Sequence, residues 1–62
     1  MNTLDQMKVL WDTFLTENER FTGKGVKASA SRARKALGDL SKLVKVRRKE
    51  IMDEKAAMSV KD

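Results

Sequence analysis

An all-α antiparallel helical hairpin, with a short first helix and a long basic second one, is the fold this sequence predicts. Three observations predict it. The chain has 62 residues, no proline and 37% charged side chains, a composition suited to long helices and not to a strand-rich fold. Apolar residues recur at alternating steps of three and four in two separate runs, the signature of a helical seam. Two glycines, Gly23 and Gly25, stand between the runs and mark a tight reversal. The whole of 1–62 reads as one hairpin domain: a helix over about 4–21, a turn over 22–25, a helix over about 26–57 and a frayed tail over 58–62.

The first helix is expected to start at Thr3. Thr3-Leu4-Asp5-Gln6 has the form of a capping box, with Thr3 as N-cap and Gln6 reaching back. Asp5 falls in the first turn, where the helix dipole favours an acid. Leu4, Met7, Trp11, Phe14 and Phe21 then form the seam, with Asn18 filling the one gap, and Val9, Leu10 and Leu15 widen it. Thr22-Gly23-Lys24-Gly25 is too short a connection for anything but antiparallel neighbours.

The second helix carries a seam of its own: Val26, Ala30, Ala33, Leu37, Leu40, Val44, Arg47 and Ile51. Small Ala30 and Ala33 near the turn would let bulky Phe14 and Phe21 approach. The expected layers pair Phe21 with Val26, Asn18 with Ala30, Phe14 with Ala33, Trp11 with Leu37, Met7 with Leu40 and Leu4 with Val44. A one-turn slip of this register stays open at this stage. At 1.5 Å per residue the helices would measure roughly 27 Å and roughly 45–48 Å, leaving an overhang of about 20 Å. That overhang carries Val46, Ile51, Met52 and Met58, which have no partner within the hairpin. A homodimer is therefore expected, most simply two hairpins forming a four-helix bundle, with a tetramer as the larger alternative. The competing reading is a frayed tail from about Ile51.

Charge is distributed as unevenly as hydrophobicity. Lys24 to Lys49 holds ten Lys or Arg against a single acid, Asp39, whereas residues 1–23 and 50–62 each hold two basic and four acidic side chains. One concentrated basic stretch with mildly acidic ends points to a polyanion as partner. With Leu37 at zero on a helical wheel, the seam falls between roughly 300° and 20°, while Lys27, Arg34, Lys35, Lys42, Lys45 and Lys49 fall between roughly 60° and 160°. Arg32 and Arg48 flank this arc. These eight residues are the candidate nucleic-acid contacts. A nearly single-signed face differs from the mixed Lys and Glu faces that serve solubility. Gly38 lies in the same arc and reads as a tolerated helix defect. Arg47 occupies a seam position, where it would snorkel or pair with Glu50 or Glu54.

Several function classes are poorly served. Without His or Cys the commonest metal ligands, the usual general base and any disulfide framework are missing. Glu17 and Glu19 are two apart and share no helix face. Asp12, Glu19, Glu50 and Glu54 read as surface charges, and Gly23-Lys24-Gly25 lacks the rest of a phosphate-cradling loop. No enzyme, metal, cofactor or small-molecule substrate is expected. The start, M-N-T-L-D-Q-M, is polar and acidic, unlike a secretory signal, and no apolar run approaches the ~20 residues that span a bilayer. A basic helix can lie on anionic lipid, but the apolar face of helix 2 is Ala-rich near the turn and has no aromatic residue. Asn and Gln are missing from the basic face, so base-edge readout is not expected.

The stretch from Glu19 to about Glu50 resembles the bacterial histone H1-like family, the group that includes the chlamydial Hc1 proteins. Its members have a short acidic first helix, a glycine-containing turn of the K-G-N-K-A-A kind, an R-x-R pair and a Lys-rich second helix ending near R-K-E. The counterparts here are Lys24-Gly25-Val26-Lys27-Ala28-Ser29, Arg32-Ala33-Arg34-Lys35-Ala36-Leu37, Leu40-Ser41-Lys42-Leu43 and Arg48-Lys49-Glu50. Val26 replaces the turn Asn. The Lys-, Ala- and Pro-rich C-terminal tail of the chlamydial members has no counterpart in these residues, so a short tailless form is expected. The resemblance implies nonspecific binding to double-stranded DNA, with RNA as a second ligand class, and compaction of a nucleoid or packaged genome in the cytoplasm or a virion. Without a tail, compaction would proceed by bridging. The alternative function is a small helical dimeric adaptor or assembly protein that binds an acidic protein partner.

Overall fold

The computed structural model describes residues 1–58 and contains two helices, α1 (Thr3–Lys24) and α2 (Lys27–Met58). They pack antiparallel as the expected helical hairpin, an elongated body of 52 × 20 × 14 Å. Met58 still belongs to α2; the remainder of the tail expected over 58–62 lies outside the described residues.

Asn2, not Thr3, caps α1. Its side-chain oxygen accepts from the Asp5 backbone N–H at 2.8 Å, three residues on. Asn is at least as good an N-cap as Thr, and using it releases the Thr3 hydroxyl. That hydroxyl donates instead to Glu50 Oε2 at 2.7 Å, tying the start of α1 to α2. Gln6 does not complete a capping box with Thr3; its amide donates to the Met1 carbonyl.

The turn is shorter than the sequence suggests. Helix α1 continues through Gly23 to Lys24, and only Gly25 and Val26 lie between the helices. Gly25 adopts φ 69° and ψ 24°, the left-handed conformation that glycine enters without a Cβ clash. Its N–H reaches the Arg20 and Phe21 carbonyls, and the Val26 N–H donates to the Arg20 carbonyl at 3.2 Å. The Arg20 and Phe21 carbonyls are thus satisfied before the chain reverses.

Between the helices, the heptad period holds but its phase differs from expectation. The α2 residues turned toward α1 are Ser29, Ala33, Ala36, Leu40, Leu43, Arg47 and Glu50, with steps of four and three throughout. Their counterparts on α1 are Thr3, Met7, Leu10, Phe14 and Glu17, with Asn18 beside them. Of the expected seam, Met7, Phe14, Asn18, Ala33, Leu40 and Arg47 keep their places. Leu4, Trp11, Phe21, Val26, Leu37, Val44 and Ile51 do not: each is exposed, between 38% and 50%. Trp11 with Leu37 and Leu4 with Val44 are therefore not inner layers of the hairpin; all four lie on one outer side of the interface. A two-residue turn holds the backbones close near it, where Ser29, Ala33 and Ala36 fit and Leu37 would not; farther along, the same phase carries Leu40 and Leu43. Among the described residues only Ser29, Ala33 and Ala36 are buried.

At 1.5 Å per residue, α2 exceeds α1 by about 15 Å. Val46, Ile51, Met52 and Met58 stay exposed, as expected of the overhang, and α2 is helical to its end there instead of fraying from Ile51.

Candidate nucleic-acid interface

The corrected phase sharpens the basic face. With Ala36 in place of Leu37 toward α1, the cationic arc swings to the back of α2, roughly 180° from the seam. All eight candidate cations are exposed. Lys27, Arg34, Lys42, Lys45 and Arg48 form no ion pair among the described residues. From Lys27 to Arg48 this free set covers about 32 Å of helix axis.

The other three are paired. Lys35 Nζ lies 3.1 Å from Asp39 and Lys49 Nζ 3.2 Å from Asp53, each one turn along the same helix. Both lysine side chains are 78% exposed, and such surface pairs contribute well under 1 kcal/mol, so a phosphate can displace them. Arg32 differs. Its Nε donates to Glu17 Oε1 across the helix interface at 3.0 Å, and its Nη2 approaches Ser29 Oγ at 3.4 Å. Arg32 is thereby committed to the hairpin and is the weakest of the eight candidates.

Sequence reasoning missed Glu17 and Ser29 as structural groups, and it read Thr3 as a cap and Glu50 as a partner of Arg47 without the bond between them. The signal was their spacing: Ser29, Ala33 and Ala36 step by four and three, and Glu17 falls three after Phe14. Ser29 is fully buried, and no buried side-chain polar atom lacks a partner among the described residues. At the other end, Arg47 bonds Glu50 at 3.1 Å and Glu54 at 3.0 Å, so the one cation on the seam is neutralised by two acids.

These contacts make the fold sensitive to acid. Hydrogen bonds from Arg32, then Ser29, hold the Glu17 carboxyl below its ordinary value of 4.5. The Thr3 hydroxyl, then Arg47, do the same for Glu50. A carboxyl that releases its proton more readily when folded stabilises the fold above its unfolded pKa, and this stabilisation is lost as pH falls through the lower folded value. Thermal melts should therefore show stability falling below about pH 4.5. The Glu17→Gln/Glu50→Gln variant should be less stable at pH 7 but lose less on acidification. Parallel losses in the two proteins would show that these carboxyls are not linked to folding.

No helix among the described residues is long and apolar enough to cross a membrane. In comparisons with known proteins, the family described as histone H1-like protein Hc1 matches residues 1–57. No curated protein and no solved structure matches the chain.

Proposed function

The chain belongs to the histone H1-like Hc1 family, and we propose that it binds double-stranded DNA through the back of α2, without reading sequence, as an architectural protein of a nucleoid or packaged genome. The observation that carries this reading is the row formed by Lys27, Arg34, Lys42 and Lys45, free of acidic partners on the back of α2, with unpaired Arg48 at its flank toward Leu37. A row of this length can follow a phosphate backbone, and each lysine or arginine that meets a phosphate releases a condensed counterion. Lys35 and Lys49 join as their exposed pairs open. With no Asn or Gln on that face, the contacts position the protein on DNA and carry no base information. The family is one of DNA-binding structural proteins, and the reading asks no catalysis of the chain.

Mobility shifts on two unrelated duplexes across a salt series test the proposal. Five neutralised phosphates per protomer give log affinity against log salt a slope of roughly −4 to −5, equal for both duplexes. A slope near zero, or affinity confined to one duplex, would overturn the reading. Binding to an acidic polypeptide with no retention of DNA would favour an adaptor role instead.

A further inference from the structure

On one side of the helix interface lies an apolar face that nothing in the hairpin covers. Its spine on α2 is Ala30, Leu37, Val44, Ile51 and Met58, one residue every seven. Leu37, Val44, Ile51 and Met58 are 42%, 40%, 50% and 76% exposed, and Ala30 is half-buried. Helix α1 adds Leu4 and Trp11 on the same side, the latter with its ring 5.3 Å from that of Phe14. The opposite side carries a shorter apolar groove, lined by Met1, Val9, Leu10 and Leu43, and Arg32, Lys35, Asp39 and Lys42 border it.

We infer that this face is covered by a second copy of the chain, with the two α2 helices antiparallel and Val44 of each meeting at the two-fold axis. Three observations carry the inference. A strict seven-residue spacing suits a helix partner more than a lipid surface, which accepts a broader arc. The hairpin buries only Ser29, Ala33 and Ala36 among its described residues, a small core for 62 residues. From Ala30 to Met58 the spine runs about 42 Å along α2, and Ile51 and Met58 lie on the overhang, where α1 cannot cover them.

The overhang selects the arrangement. Stacking α2 on the α1 of the other copy would cover Leu37 and Val44 but leave Ile51 and Met58 as bare as they are in the hairpin. Pairing α2 with α2 about Val44 sets Leu37 against Ile51 and small Ala30 against long Met58, in both directions at once. Shifting the pairing by one heptad leaves either Ala30 or Met58 without a counterpart. Only the register about Val44 uses all five positions, and an interface of this kind is self-complementary, as a two-fold requires.

This pairing is independent of the DNA-binding proposal, but it deepens it. With α2 directly against α2, both basic backs fall on the same edge of the bundle. One surface of doubled width results, not two opposed stripes, and it favours a single duplex held along two rows of cations over the bridging of two duplexes.

Cross-linking without DNA tests the register, because the chain has no cysteine of its own. Val44→Cys should form a covalent dimer on mild oxidation. Leu37→Cys alone should not, while an equimolar mixture of Leu37→Cys and Ile51→Cys should form the mixed dimer. Light scattering on the unaltered chain should give twice the chain mass. The inference is overturned by a monomer at all concentrations, with or without binding to phosphatidylserine vesicles. It is overturned equally if Leu37→Cys links to Trp11→Cys in place of Ile51→Cys, or if Leu37→Cys alone links as fast as Val44→Cys.

Discussion

Changing Lys45 to Glu should weaken DNA binding about tenfold or more at physiological salt, and Arg34→Glu with Lys45→Glu on the order of a hundredfold or more. The argument is electrostatic. Each phosphate contact that is lost removes one counterion-release increment, and the reversed charge adds repulsion from the same phosphate. Both side chains are exposed and neither forms an ion pair among the described residues, so neither change breaks a contact within the fold. Glu is a good helix former, and Glu at 45 would face Lys49 one turn on, a spacing that supports the helix. Helicity by circular dichroism should therefore be unchanged while affinity for every duplex falls alike and the salt slope loses about one unit per contact. Lys8→Glu is the control: it changes net charge as Lys45→Glu does, but on α1, away from the basic back of α2. If Lys8→Glu weakens binding as much as Lys45→Glu, overall charge and not the α2 face governs affinity, and the proposed interface is wrong.

The two helices, their order, the tight turn and the basic stretch were legible because each rests on local signals: period, glycine and sign of charge. Phase was harder to read. In α2 two apolar stripes run side by side, Ala36 and Leu43 on one and Leu37 and Val44 on the other. In α1 Leu10 competes with Trp11 in the same way. Hydrophobicity alone favours the bulkier stripe as the inner one. The structure places small Ser29, Ala33 and Ala36 against α1 because a turn of two residues brings the backbones close there, a constraint that acts between segments and is invisible to either one alone, and the same phase then carries Leu40 and Leu43 inward. The bulky stripes of both helices are then displaced together to the same outer face. The basic face shows a similar division. Its sign and arc could be read from spacing, but Arg32 could not be known to serve the hairpin until Glu17, fifteen residues earlier, was seen to sit opposite it. Likewise the Thr3 hydroxyl could not be assigned to Glu50 while it was read as a cap.

The position of Ala36 separates the observed seam from its neighbour. Ala36 is 3% exposed and faces a crevice it shares with Leu10 and Thr13. Ala36→Phe adds a ring to a side chain already packed to 3% exposure against α1, and α1 must move to admit it. That movement loosens the 3.0 Å contact of Glu17 with Arg32 and the 2.7 Å contact of Thr3 with Glu50. Overpacking of this kind costs about 1–3 kcal/mol. Chains of this length have only about 3–9 kcal/mol in all, so thermal unfolding followed by circular dichroism should show a large drop in midpoint. Ala28→Phe places the same ring at an exposed site of the same helix and should cost only its helix propensity, about 0.5 kcal/mol. Were Leu37 the inward residue instead, Ala36→Phe would be as mild as Ala28→Phe. Leu37→Glu completes the contrast, because it leaves the seam intact and charges the outer apolar face. Its melting should be independent of protein concentration, whereas that of the unaltered chain should rise with concentration. Two adjacent residues of α2 would thus report on different events, Ala36 on closure of the hairpin and Leu37 on its association with a second copy.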